Sequence, residues 1–167
     1  MMTNRGRQTA KDNAMSIDDF AKYSSVLHRL TADFARAVPD DKWDFTPDRR
    51  FAPFSKQLRH VVCVRGVYNA ALATRKVDWS RKHEHYAGLL TREALLGALD
   101  GQQQRLLATL KAVDIDASID WDGTPFSFPL FTWEFVQHEA IHHGQWSVYA
   151  SLAGFDTPLS WRTSWGL

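Results

Sequence analysis

This sequence has a single thiol, nearly balanced charge and no long apolar run. Among 167 residues there is one cysteine, Cys63, which excludes an intramolecular disulfide framework and a cysteine-cluster zinc site. Twenty Lys and Arg stand against nineteen Asp and Glu, and this balance argues against a dedicated nucleic-acid-binding protein. No run approaches the ~20 apolar residues that cross a bilayer. Residues 1–15 lack the apolar segment of a secretory signal. We therefore expect a cytoplasmic protein without membrane or nucleic-acid partners, and with a disordered leader over 1–15.

Apolar residues are abundant and recur at helical spacing. They make up 44% of the chain, enough for one domain, which we expect over 16–167. Their periodicity predicts four helices, over 16–38, 54–76, 91–113 and 130–153. Ser16, Ser55 and Thr91 are candidate N-caps, Pro39 stops the first helix and Gly154 ends the last.

The length and number of these helices predict the fold class. Four helices of ~20 residues indicate an all-α protein, a four-helix bundle. The connections 77–90 and 114–129 are long enough for crossovers, and Asp122-Gly123 predicts a short hairpin in the second of them. Trp161 and Trp165 indicate that the C-terminal tail docks on the bundle.

The most informative motif lies on the last predicted helix. His138 and His142 are four residues apart, which places both imidazoles on one face, as two ligands of one metal require. With Glu139 the string also reads H-E-x-x-H, the signature of zinc proteases. Such a protease takes a third ligand downstream, but after His143 the sequence has neither histidine nor glutamate, and Asp156 is the one acid. The third ligand must therefore come from upstream.

Upstream, His60 is the favoured third ligand. It lies in the middle of a helix that is apolar on most sides, where the alternative is a hydrogen-bonded core histidine. We expect His28, at the edge of an apolar stripe, and His83 and His85, in a charged loop, to be bystanders. His143 points about 100° away from the preceding histidine on the helix, so we expect it beside the ligands or at the surface.

Three features resemble the DinB-like (DinB/YfiT) superfamily of bacterial four-helix-bundle proteins. They are the segment Phe54-Ser-Lys-Gln-Leu-Arg-His60, the motif His138-x-x-x-His142-x-Gly144-Gln145, and the order and length of the helices over 17–154. The resemblance implies a divalent metal, zinc or nickel, held by His60, His138 and His142. It also implies a homodimer and, as in some members, a low-molecular-weight thiol that takes part in the reaction.

Three neutral histidines leave an open coordination position, as in catalytic zinc sites. A metal held in this way lowers the pKa of water or of a thiol, so we expect an S-transferase or a hydrolase that acts on a small molecule. Glu139 and Gln145 are candidate catalytic residues, Glu139 as a base or as the partner that orients a ligand histidine. Tyr149 is a candidate cofactor or substrate contact. The alternative is a non-catalytic bundle with a structural metal or with an interaction role in a stress response.

Other residues allow two interpretations each. Arg65 either binds an anionic substrate or pairs with an acid in the core, and we favour the pair. Cys63, three residues from His60, is either a fourth ligand or a small buried residue, and we favour the second. Trp133 and Trp146 are expected to form core or dimer contacts.

Overall fold

The computed structural model describes residues 15–166, and most of them are helical. In chain order they form α1 (Ile17–Ala37), α2 (Phe54–Thr74), α3 (Arg92–Leu110), strands β1 (Ile119–Trp121) and β2 (Thr124–Phe126), α4 (Phe128–Ala153) and α5 (Leu159–Trp165). Short 3-10 helices lie at Asp40–Lys42 and Trp79–His85. The predicted leader, apart from Met15, lies outside the described residues, and the single domain over 16–167 stays a prediction. No helix in 15–166 has the length and apolar character needed to span a membrane.

Local signals explain where most helices begin and end. The side chains of Ser16 and Thr91 accept hydrogen bonds from the backbone N–H groups of the third residue on, which caps α1 and α3 as predicted. Gly154, at φ 79°, ends α4 in the left-handed conformation that glycine adopts without strain. The prediction of Ser55 as the cap of α2 is wrong. Pro53 precedes that helix, and the Ser55 hydroxyl donates to the Asp44 carboxylate instead.

The fourth helix starts two residues earlier than predicted. Its cap is Ser127, whose hydroxyl accepts from the N–H of Leu130. Pro129 therefore lies in the first turn, where a missing N–H and a fixed φ do no harm to a helix. The sequence prediction places Pro129 in the preceding loop, although a proline is also common in the first turn of a helix.

The predicted hairpin forms between α3 and α4. Asp122 and Gly123 both have positive φ, 50° and 84°, as a two-residue turn between antiparallel strands requires. Asp120 in β1 also bridges to Lys76 just after α2. The hairpin thereby anchors the connection between α3 and α4 to the end of α2.

The bundle has long connections, and the predicted four-helix fold is confirmed. α1 and α2 each pack against α3 and α4, so α1 and α2 occupy opposite corners. The connection 38–53 crosses between these corners and is tied to the start of α2 by backbone hydrogen bonds from Phe54 to Phe45 and from Ser55 to Trp43.

Two hydrophobic clusters fill the core, one towards each end. One includes Phe34, Phe54, Trp146 and Trp161, and the other includes Phe20, Tyr68, Phe131 and Phe135. The docked tail belongs to the first cluster: Trp161 is fully buried and its indole N–H donates to the Leu30 carbonyl at 2.7 Å. Trp146 is a core residue, whereas Trp133 is 58% exposed.

Candidate metal centre

Helices α2 and α4 bring His60, His138 and His142 together. One ring nitrogen from each of the three side chains lies within 4.8 Å of the others. The Nε2 atoms of His60 and His138 are 3.0 Å apart. Over residues 15–166 this is the one group of three or more His, Cys, Asp or Glu side chains arranged to hold a metal ion. The structure therefore brings together the three histidines that the sequence predicts as metal ligands.

The environment of the cluster keeps its imidazoles neutral. Burial, aided by the nearby charges of His142 and Lys82, lowers the pKa of His60 to about 4. Burial and the other two histidines of the cluster lower the pKa of His138 to about 3. Burial also lowers the pKa of His142, although the Glu139 charge and the Gln145 side chain act in the opposite direction. At neutral pH each ring thus has a lone pair available for a metal.

The donor set fits a divalent transition metal. Neutral imidazole is a preferred ligand of zinc and nickel. Zinc–nitrogen bonds of 2.0–2.1 Å put two ligands of a tetrahedral ion about 3.3 Å apart, close to the separation of His60 and His138. The Nδ1 atom of His142 is buried and has no hydrogen-bond partner among the described residues. In the part of the chain that the structure describes, no thiolate or carboxylate joins the three converging nitrogens, which leaves room for an exogenous ligand.

Cys63 lies near the cluster but does not join it. Its thiol is 3.8 Å from the Tyr86 carbonyl oxygen, and burial raises its pKa even though Arg59 acts in the opposite direction. A protonated thiol is a poor metal ligand. This placement agrees with the favoured interpretation of Cys63 as a small buried residue.

A large recess opens beside the histidines. Its volume is about 560 Å³, within the range of small-molecule sites. His60 and His142 form part of its wall, together with Gln145 and Tyr149, two of the predicted site residues. The Tyr149 hydroxyl donates to the Ala52 carbonyl at 3.1 Å, so the ring of this buried residue forms a fixed wall. The other lining residues are Pro47, Arg50, Phe51, Ala52, Lys56, Gln57, Val148 and Leu152.

Glu139 lies away from this recess, so its predicted role as a catalytic base does not match the structure. Its Oε1 accepts from Thr31 at 2.6 Å and from Arg65 at 2.5 Å, and its Oε2 accepts from Arg65 at 3.2 Å. Burial alone would raise the pKa of this carboxyl, but Arg65 and Thr31 hold it below its usual value. One residue along a helix is a rotation of about 100°, which turns Glu139 into the core while His138 meets His60 and His142.

The prediction that His143 lies beside the ligands or at the surface is wrong, because the structure buries it in the core. It is 3% exposed, its Nε2 lies 2.8 Å from the Thr31 hydroxyl, and its ring packs against Trp161. Its Nδ1, like that of His142, lacks a partner among the described residues. A buried ring nitrogen without a partner is therefore not sufficient to identify a metal ligand. The candidate metal centre is identified by the convergence of three histidine side chains. Thr31, Arg65, Glu139 and His143 form what we call the core polar network.

The remaining histidines lie outside the cluster. His28 accepts from Arg65 through Nδ1 and contacts the Asp100 carboxylate at 3.1 Å. His83 accepts from Arg59. His85 packs so closely on Gly66 that a Cβ at this glycine would lie 2.4 Å from the histidine side chain.

Comparison with known proteins agrees with this architecture. The family model described as the DinB superfamily matches residues 25–146, well over half of the chain and all three clustered histidines. The chain belongs to the DinB superfamily. A crystal structure of a DinB-like protein from Bacillus subtilis matches this DinB-superfamily chain with a TM-score of 0.65 and 14% identity, covering 83% of this chain and 94% of that one. At that identity the likeness is one of fold. Curated protein sequences gave no significant match.

Proposed function

We propose that this protein is a metal-dependent enzyme that carries out S-transfer or hydrolysis on a small molecule. The observation that carries the proposal is the convergence of three neutral imidazoles, two of which, those of His60 and His142, line a recess of about 560 Å³. His60, His138 and His142 would hold zinc or nickel. Such an ion supplies Lewis acidity, which lowers the pKa of a thiol or of water.

The residues around the cluster have separate tasks. The neutral histidines present lone pairs without having to lose protons first. The side chains of Phe51, Val148 and Leu152 give the recess apolar walls that exclude water from a bound substrate. Gln145 presents an amide beside His142 and positions the substrate there. Tyr149 holds the recess in shape through its bond to Ala52. Glu139 has no part in this chemistry.

A thiol co-substrate accounts for one of the two reaction classes. In S-transfer, the sulfur of a low-molecular-weight thiol bonds to an electrophilic carbon held in the recess, the bond from that carbon to its leaving group breaks, and the thiol proton passes to solvent. In hydrolysis, the oxygen of water bonds to an acyl carbon instead, and the alcohol of the ester leaves with a proton. The predicted alternative, a bundle with a purely structural metal, requires that the recess bind nothing.

The assay that tests the proposal compares two reactions in one preparation. Untagged protein loaded with zinc or nickel is assayed for thiol transfer to an alkyl halide and for ester hydrolysis, before and after chelation. His138→Ala tests the cluster, and Lys22→Ala is the control because Lys22 is an exposed residue of α1, outside the cluster and both recesses. We expect metal-dependent turnover that His138→Ala abolishes and Lys22→Ala retains. Equal rates in the two variants, or no turnover of either substrate class, would contradict the proposal.

Self-association is proposed for α4. Apolar side chains recur along one exposed side of this helix: Leu130, Trp133, Ile141, Val148 and Leu152 are each 43–61% exposed. Large exposed apolar side chains along one side of a helix favour an interface, and a second copy of the chain is the partner that the family resemblance implies. We expect Trp133→Glu to shift the sedimentation coefficient to that of a monomer, whereas Lys22→Glu on α1 should leave it unchanged. A wild-type monomer would contradict this proposal.

The cytoplasmic location likewise stays a prediction.

A further inference from the structure

A second recess lies on the other side of His60 and is strongly basic. Its volume is about 280 Å³. Residues at spacings of three and four on one face of α2 form its floor: Lys56, Arg59, His60 and Cys63. The 3-10 helix Trp79–His85 covers it with Lys82 and His83. We call it the basic recess.

The three cations of the basic recess are not neutralised by acids. Among residues 15–166, no carboxylate lies within ion-pair distance of Lys56, Arg59 or Lys82, and no acidic residue lines the recess. Glu84, on the same 3-10 helix as Lys82, pairs with Arg81 at 2.8 Å instead. Like charges held together repel one another, by about 1 kcal/mol for a pair 4 Å apart in water. An arrangement of this kind becomes favourable when an anion binds.

One of the cations is already oriented. The Arg59 guanidinium donates to Nδ1 of His83 at 3.3 Å. This contact fixes an otherwise flexible side chain across the recess, so less conformational entropy is lost when the planar group binds carboxylate or phosphate oxygens. His83, expected from the sequence to be a bystander, acquires a positioning role.

The basic recess adjoins the larger recess at the candidate metal centre. His60 and Lys56 line both recesses, so a ligand that spans them passes the histidine cluster. The charge of Lys82 is felt at His60 and His138, where it helps to lower both pKa values. The two recesses differ in character, because the larger one is mainly apolar and the smaller one is cationic.

We propose that the basic recess binds the anionic group, a carboxylate or a phosphate, of a small molecule whose apolar part occupies the larger recess. The reacting bond of such a ligand lies between its two ends, beside His60. This inference rests on the proposed function, since it specifies the substrate class of the same site.

The test uses three probes with the same apolar chain, titrated calorimetrically into the full-length, metal-loaded protein. Hexyl phosphate and hexanoate carry the two candidate anionic groups, and hexanol carries none. We expect at least one anion to bind tighter than hexanol by about tenfold or more, because charge-assisted hydrogen bonds are worth 1.5–3 kcal/mol. The tighter of the two anions identifies the group that is recognised.

Matched variants locate the anion. We expect Arg59→Gln and Lys82→Gln each to weaken binding of the anionic probe by about tenfold, and the exposed α1 variants Arg29→Gln and Lys22→Gln to leave it unchanged. Unchanged affinity in Arg59→Gln and Lys82→Gln would overturn the inference. So would anion binding that only His142→Ala abolishes, because the anion would then lie on the metal.

The metal content of the same samples separates the two proposals. If zinc is retained while Arg59→Gln and Lys82→Gln bind the probes like wild type, the basic recess is wrong and the proposed function stands. If wild-type protein binds neither zinc nor nickel, the proposed function fails whatever the probes do. Melting temperatures close to wild type show that a weakened variant is folded, and a variant that fails this check is replaced by Arg59→Lys or Lys82→Met.

Discussion

Two pairs of neighbouring residues on α4 have the same spacing and opposite surroundings. His138 and His142 converge with His60 of α2, and His60 and His142 also line the recess. Glu139 and His143, each one position further along, face the core, where α2 contributes Arg65 and α1 contributes Thr31. Both pairs are four residues apart on the same helix. The side chains that meet each pair from the other helices decide which becomes the candidate metal centre and which becomes the core polar network.

The largest effect is expected from breaking the core polar network. Arg65→Met leaves the Glu139 carboxylate buried without its cation, which should lower the free energy of unfolding by about 3–5 kcal/mol. Urea unfolding in the presence of a chelator measures this without a contribution from bound metal. The double variant Arg65→Met/Glu139→Leu should recover much of the loss, because it leaves no unpaired charge. If Arg65→Met alone were as stable as wild type, the ion pair between Arg65 and Glu139 would contribute nothing to the free energy of unfolding.

Protonation of the buried core histidine should give the next largest effect. Burial lowers the pKa of His143 to about 4, whereas an unfolded histidine titrates near 6.5. Between these values the unfolded state binds more protons, so stability falls as the pH falls from about 6.5 to about 4 and this contribution levels off below. The loss is about 3 kcal/mol for this one group. The depressed pKa of Glu139 adds a loss only below about 4.5.

Comparison with a variant isolates that contribution. We expect the difference in unfolding free energy between wild type and His143→Gln, in chelator, to shrink as the pH falls from 7 to 4. His83→Gln is the control, since its ring is exposed. If the difference is the same at pH 7 and pH 4, His143 is not held neutral by the fold.

A smaller effect is expected from removing the Thr31 hydroxyl, which lies between Glu139 and His143. Thr31 contacts both Glu139 and His143. Thr31→Val keeps the shape and removes that polar partner, which should cost about 1–3 kcal/mol in chemical unfolding. Thr163→Val is a matched control, because the Thr163 hydroxyl is exposed and bonds only to the backbone of its own helix. Equal costs for the two substitutions would remove Thr31 from the network.

The smallest effect is expected on the recess side. Gln145 is exposed, so Gln145→Ala should change the unfolding free energy by no more than about 0.5 kcal/mol. It should weaken zinc binding by about tenfold at most, since it acts on the metal only through His142. A zinc affinity reduced as far as in a ligand variant would make Gln145 a ligand.

Local sequence patterns were sufficient to predict the helices and one face of the metal centre. Apolar periodicity located α1 to α4, and the spacing of His138 and His142 required only that α4 be helical. Arg65 in an apolar stripe predicted a buried ion pair, which the structure contains. The choice of His60 needed a second argument, that a two-histidine face requires a third donor.

Long-range contacts account for what the sequence did not predict. The partner of Glu139 and His143 is Thr31, more than 100 residues away, and nothing at position 31 distinguishes this threonine from others. The basic recess depends on how the 3-10 helix Trp79–His85 folds over α2. One side of it can be predicted from the sequence, because Lys56, Arg59 and His60 share one face of a predicted helix. The position of Lys82 over that face cannot be predicted in this way.

Zinc titration of two neighbouring histidine variants tests the central claim most directly. The metal-free wild type, His142→Ala and His143→Ala are titrated with zinc against a competing chromophoric chelator. The account predicts one zinc per wild-type chain, an affinity lower by about 100-fold or more in His142→Ala, and an affinity close to wild type in folded His143→Ala. Equal zinc affinity in wild type and His142→Ala, or a loss in His143→Ala as large as in His142→Ala, would contradict it.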